Sequence, residues 1–306
     1  MIKTHSVWLF VLLMTACAPK TEIITIQERE LIPEGITVGE DGEIYLSNIY
    51  AKNITMSKSD GSDAKVIETM YTGKFSGVGI TRVNGKLYQV SNSDDQSVFQ
   101  IIDSKTGNLL ESYLNTDTIP SFLNDLAISR DGKAYITDSN QNRIFTVRNN
   151  SLVVFLESDE IKYPNGIALS DDEQLLFIAS FTKGIRIYDV LSNKFVNEAD
   201  TSNLTRAIDG LKYYKNSLIG IQNASRNLAE HCVVRFYLND KQTMVTQVDT
   251  LIVNHPTFNI PTTFDVQGGW VYCLANSQLE NLDQETMELI NEEELTDTFI
   301  LKFKVE

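Results

Sequence analysis

The stretch Tyr163-Pro164-Asn165-Gly166-Ile167-Ala168-Leu169-Ser170-Asp171-Asp172-Glu173-Gln174-Leu175-Leu176-Phe177-Ile178-Ala179-Ser180 sets a polar residue and a glycine after a proline, then two apolar runs about a polar turn. The same phrase returns along the chain. It stands as Pro33-Glu34-Gly35-Ile36 before Asp41-Gly42-Glu43-Ile44-Tyr45, and as Gly77-Val78-Gly79-Ile80 before Asn84-Gly85-Lys86-Leu87-Tyr88. It returns as Asn124-Asp125-Leu126 before Asp131-Gly132-Lys133-Ala134-Tyr135, and as Asp209-Gly210-Leu211 before Asn216-Ser217-Leu218. A sixth, worn copy reads Thr262-Thr263-Phe264-Asp265-Val266 before Gly268-Gly269-Trp270-Val271-Tyr272.

Steps of 44, 46, 41 and 44 residues separate Glu34, Val78, Asn124, Asn165 and Asp209, with about 54 to the last copy. A period of roughly 40–50 residues holding several short strands marks propeller blades. Each copy reads as a hairpin, because Asn-Gly and Asp-Gly between alternating apolar runs favour tight turns. Six copies imply an all-β, six-bladed β-propeller. The orphan strands Glu22–Ile26 and Thr298–Val305 would pair in the last blade and close the ring, removing exposed edges.

The 306 residues, 42% hydrophobic, suffice for one large closed domain, which is expected over residues 22–306. A formal charge of −15 excludes nucleic acid as a partner, since phosphate binding needs a basic face. Residues 1–16 read as a signal peptide, with Lys3 and His5 before the apolar run Val7–Met14. Thr15-Ala16-Cys17 resembles the bacterial lipobox, so Cys17 is the expected lipidation site and 17–21 a tether. Acyl chains would then anchor an otherwise soluble monomer to the cell envelope. The alternative is an ordinary signal peptide with an incidental cysteine. Cys232 and Cys273 lie within strand-like runs and read as buried small hydrophobes.

In a four-stranded blade, the start of the inner strand and the loop between the second and third strands share one face. The first set brings Glu34, Asn124, Asn165 and Asp209 toward the axis. Two carboxylates and two amide carbonyls offer only oxygen, which suits a hard divalent cation, Ca2+ in particular. The second set, Asn48, Asn92, Asp138, Asn223 and Asn276, gives candidate substrate contacts, as does His255 near the same face. Insertions after Asn223 and Asn276 could form a lid. The second carries an amphipathic, helix-like pattern at Met287, Leu289, Ile290 and Leu295. Tyr45, Tyr88, Tyr135 and Phe177 recur at the blade period and are expected to pack between blades.

With Pro33-Glu34-Gly35, Asn124-Asp125, Pro164-Asn165-Gly166 and Asp209-Gly210 in order, the mature chain resembles the SMP-30/gluconolactonase/LRE-like six-bladed propellers, related to diisopropylfluorophosphatase and the paraoxonases. The resemblance implies that Glu34, Asn124, Asn165 and Asp209 bind a divalent metal, that Asp209 is the catalytic carboxylate, and that Asp125 assists it. It further implies a metal-dependent hydrolase of lactones or related esters. Sugar-lactone members carry an arginine just before the Asn-Asp pair, where this chain has Ser121-Phe122-Leu123, so Phe122 would meet the substrate and make it less sugar-like. The competing reading is a propeller that binds a ligand or protein without chemistry, since this fold hosts many functions.

Overall fold

The computed structural model describes residues 19–223, 231–283 and 285–305. Cys17, the leader and residues 224–230 of the fifth repeat's insertion lie outside the described residues.

The described chain opens with β1 (Thr21–Ile26) and then builds blades of four antiparallel strands. Blade one holds β2 (Pro33–Val38), β3 (Ile44–Asn48), β4 (Ile54–Ser57) and β5 (Lys65–Ile67). Blade two holds β6 (Ser76–Val83), β7 (Lys86–Asn92), β8 (Ser97–Asp103) and β9 (Leu109–Leu114). Blade three holds β10 (Leu123–Ile128), β11 (Ala134–Asp138), β12 (Arg143–Arg148) and β13 (Ser151–Glu157). In blade four, β14 (Pro164–Leu169), β15 (Leu175–Ser180) and β16 (Gly184–Asp189) precede a two-residue outer strand, β17 (Lys194–Phe195). Blade five holds β18 (Ile208–Tyr213), β19 (Ser217–Gln222), β20 (Cys232–Leu238) and β21 (Val245–Val253).

Blade six takes β22 (Phe264–Gln267), β23 (Trp270–Leu274) and β24 (Thr298–Lys304) from the end of the chain and β1 from its beginning. Thr21 to Ile26 pair antiparallel with Phe303 back to Thr298, so the two orphan strands satisfy each other. The ring is an all-β, six-bladed propeller closed by its terminal strands.

In five of the six repeats an aromatic fills the wedge to the next blade, and Ile219 takes its place in blade five. Tyr45 packs with Ile80 and Leu87, Tyr88 with Leu126 and Ile136, and Tyr135 with Ile167 and Leu176. Phe177 packs with Leu211 and Leu218. Tyr272, their counterpart in blade six, packs with Ile36 and Val38 of blade one and completes the circle. Each large ring buries much apolar surface among the aliphatic side chains of its cluster. Cys273 is buried in the wedge between blades five and six, and Cys232 packs at the edge of the cluster joining blades four and five.

The excursion after Asn276 departs from its helix-like pattern. It folds as two short 3₁₀ turns, Leu279–Asn281 and Glu292–Glu294, with a bridge between Leu282 and Leu289. Leu282 and Leu295 are buried against Ile32 and Ile49 of blade one, with Met287 and Leu289 beside them, whereas Ile290 is exposed. The segment's apolar residues dock on blade one, and such tertiary packing outweighs a helix-like spacing.

The inner strands approach one another closely at their starts. A methyl group on Gly79 would sit 2.5 Å from the carbonyl oxygen of Asn124 in the next blade and 2.9 Å from the Cα of Asp125. Gly35 abuts the Val78 carbonyl and Gly166 the Asp209 carbonyl in the same way. Gly79→Ala is therefore expected to lower stability by about 1–3 kcal/mol through overpacking. Leu191→Ala, at an exposed turn, should leave it within about 0.5 kcal/mol. Denaturant titration of both variants is the check, and equal midpoints would contradict the tight hub.

Candidate metal centre at the propeller axis

In blades one to five the pairing between the inner and second strands slips at its start. The slips fall between Pro33 and Gly35, Gly77 and Ile80, Leu123 and Leu126, Pro164 and Ile167, and Ile208 and Leu211. A bulge adds an unpaired residue and re-aims its side chain. The bulged residues are Glu34, Val78-Gly79, Asn124-Asp125, Asn165-Gly166 and Asp209-Gly210, which is why the repeated phrase carries a polar residue beside a small one. Blade six pairs without a slip and contributes Thr263 instead.

These residues converge. Glu34, Asn124, Asp125, Asn165, Asp209 and Thr263 line one cavity with Val78 to Ile80 and Gly210, so all six blades meet there. About 10 Å³ is open to the centre of a water-sized sphere, which is the scale of one water molecule or an ion.

The electrostatics of the cavity are unfavourable as the protein side chains alone leave them. Burial drives the Glu34 carboxyl well above the usual carboxylate range, Asp209 and Asp125 add to this, and the Thr262 hydroxyl offsets only part. Glu34 Oε2 is buried with no hydrogen-bond partner among the described residues. Burial likewise pushes Asp209 up to about 7 against the lowering effect of the Asn223 and Asn165 amides, with Asp125 raising it further. Asn223 Nδ2 donates to Asp209 Oδ2 at 2.6 Å and to the Pro261 carbonyl at 3.1 Å, which fixes the carboxylate's orientation. Asn124 Nδ2 donates to Ser139 Oγ at 3.0 Å, leaving its carbonyl oxygen for the cavity.

Asp125 is tied more firmly than the other acids. Its Oδ1 accepts the Leu126 N–H at 2.8 Å and faces Lys212 Nζ at 3.7 Å, while Oδ2 accepts the Ile167 N–H at 3.3 Å. It bridges three blades, and its oxygens already have partners. Lys212 was not singled out by the sequence, where the only signal is a cation on an inner strand three residues after Asp209.

The second set of residues has a different fate. Asn92 bonds both backbone groups of Leu123, at 2.8 and 2.9 Å. Asp138 accepts the Phe122 N–H at 2.9 Å and holds Arg143 Nε at 2.8 Å. Asn48 donates to Asn53 and Thr55, and Asn276 bonds Thr296, the Asp297 carbonyl and the Phe299 N–H. All four are buried, and none lines the cavity. Asn223 stands one residue past the end of its second strand, where Gln222 pairs with Ile208, and its amide does reach a cavity residue, Asp209.

Phe122 is half-buried against the cluster joining blades two and three and does not line the cavity. His255 Nδ1 lies 2.8 Å from Thr257 Oγ1, on the connection into blade six and away from the cavity lining. His231 is buried with neither ring nitrogen hydrogen-bonded to a described residue, and burial lowers its pKa.

The architecture is shared with several solved structures. The chain superposes on a calcium-binding protein, regucalcin, from Agrobacterium tumefaciens with a TM-score of 0.62 at 16% identity, covering 93% of this chain and 95% of that one. Virginiamycin B lyase from Staphylococcus aureus gives 0.62 at 15% identity, with 94% and 99% covered. A luciferin-regenerating enzyme gives 0.62 at 11% identity, with 94% and 96% covered. At such identities the likeness concerns the fold alone. No curated protein matches the sequence. A family model matches residues 32–259, a span that holds the bulged inner-strand starts of blades one to five, and by that match the chain belongs to the SMP-30/Gluconolactonase/LRE-like family.

Proposed function

We propose that the axial cavity holds a divalent cation, calcium by preference, and that the protein hydrolyses a lactone or related ester. The observation that carries this reading is Glu34 Oε2, a buried oxygen without a partner among the described residues, in a cavity already lined by two further carboxylates. A buried acid in that setting either keeps a proton or meets a cation. Glu34, Asn124, Asn165 and Asp209 would hold the ion, and their all-oxygen set is the chemistry of a hard cation. Regucalcin's calcium binding and the family's gluconolactonase label support the same direction.

A bound divalent cation supplies polarisation of the ester carbonyl and stabilises charge on its oxygen. The chain's own residues supply the rest. Asp209, held by Asn223, takes a proton from the attacking water as that water adds to the carbonyl carbon, and returns it to the leaving alkoxide as the C–O bond breaks. A carboxylate held in place beside the water is suited to both transfers. Asp125, with its oxygens tied to two backbone N–H groups and Lys212, acts as a positioning residue. The cavity admits an ion and an atom or two of substrate, so the bulk of the ester would lie outside it on the face of the disc. From Thr15-Ala16-Cys17 we also propose that acyl chains on Cys17 hold the enzyme at the cell envelope.

Asp209→Asn should reduce hydrolysis of a lactone panel by about 10²–10⁴-fold while circular dichroism stays unchanged. Undiminished turnover would remove the assignment. Glu34→Gln should weaken calcium binding measured by calorimetry, and unchanged affinity would place the ion elsewhere.

The cation-free protein has a defined pH dependence. Glu34 and Asp209 hold protons to higher pH in the folded chain than an unfolded carboxyl near 4 does. Between about pH 4 and about pH 7 the folded state therefore binds more protons, and stability falls as pH rises through that window. With chelator present, the melting temperature should be lower at about pH 7.5 than at about pH 5. Added calcium should raise it more at the higher pH, where ligands need not first be deprotonated. An equal calcium-induced shift at both pH values would contradict these carboxyls as ligands.

A further inference from the structure

Resting on the cation reading of this cavity, we propose that the Lys212 ammonium is a built-in countercharge that sets the pocket's preference for a divalent over a trivalent ion. The cavity is lined by three acidic side chains, Glu34, Asp125 and Asp209. Lys212 reaches Asp125 from β18, with Nζ 3.7 Å from Oδ1 and both side chains largely covered, at 17% and 10% exposed. The pair joins blade five to blade three, and Asp125 is meanwhile fixed by the N–H groups of Leu126 and Ile167. Asp125 thus lines the cavity beside Glu34 and Asp209 while these bonds hold it in place, close enough for its charge to act on an ion there.

The charge at the hub follows. Three ionised carboxylates carry three negative charges, and the ammonium cancels one. The remaining two belong to Glu34 and Asp209, which matches an ion of charge two. In a buried site a mismatch of one unit charge is poorly screened, so ion choice depends steeply on that balance. Lys212 acts through Asp125 and is a positioning residue that determines specificity.

Calorimetry with calcium and with terbium(III) ions, on the whole protein, separates this from a plain tie between blades. Lys212→Met keeps the stem and removes the charge, and it should raise the ratio of terbium to calcium affinity by at least about tenfold. Lys212→Met with Asp125→Asn restores the charge of two and should return the ratio to the wild-type value. Asp125→Asn alone leaves the lysine uncompensated and should move the ratio the opposite way, which keeps the test alive if Lys212→Met does not fold. Wild-type binding of both ions with a ratio unmoved by these variants overturns the proposal and leaves the cation reading standing. Absence of binding by the wild type with either ion overturns both.

Discussion

Closing a ring of six sheets forces the first residues of the inner strands into a small circle, and that crowding governs the centre of this protein. Backbone comes so near backbone that Gly35, Gly79 and Gly166 have no room for a methyl group. The bulges beside them turn the preceding side chains inward because ordinary pairing cannot continue in so narrow a space. Three acids thus face one another in a cavity scarcely larger than a water molecule. Outside the hub, Tyr45, Tyr88, Tyr135, Phe177 and Tyr272 are buried between blades, and burial of that apolar surface favours the closed ring.

The layers around the hub divide the work. At or just past the ends of the second strands, Asn92, Asp138 and Asn223 bond the connectors that lead into inner strands, while Asn48 and Asn276 bond the approach to their own third strands. Such buried polar groups must be satisfied, and here the satisfaction is also the positioning. Asn223 extends the scheme by one contact, because its amide reaches Asp209 as well as the Pro261 carbonyl. A carboxylate held in one orientation is better placed to move a proton than one free to rotate.

Much of this was legible in the chain. The repeated phrase determined the blade count, the closing strands and the wedge aromatics, since period-2 alternation between Asn-Gly or Asp-Gly turns admits few other arrangements. The convergence of Glu34, Asn124, Asn165 and Asp209 also followed from it, because equal positions in equal blades lie at equal distance from the axis. Asn92 and Asp138 show where that logic stops. They close their second strands opposite Ser76 and Leu123, whereas Asn223 stands one residue past Gln222, which pairs with Ile208, and the repeated phrase does not tell which of these neighbouring positions faces the site.

The excursion from Asn276 to Asp297 marks the same boundary. Its apolar spacing suited a helix, but the surface offered by Ile32 and Ile49 of blade one decided between helix and short turns, and those residues are more than 200 positions away. Lys212 is the clearest case. The chain states only that a lysine follows Asp209 by three, whereas its meeting with Asp125 depends on how far the fifth blade leans toward the third. Local pattern thus determined the strands, their order and the ring. Tertiary structure alone decided which charges meet across it, because Coulomb interactions depend on distance through space and not along the chain.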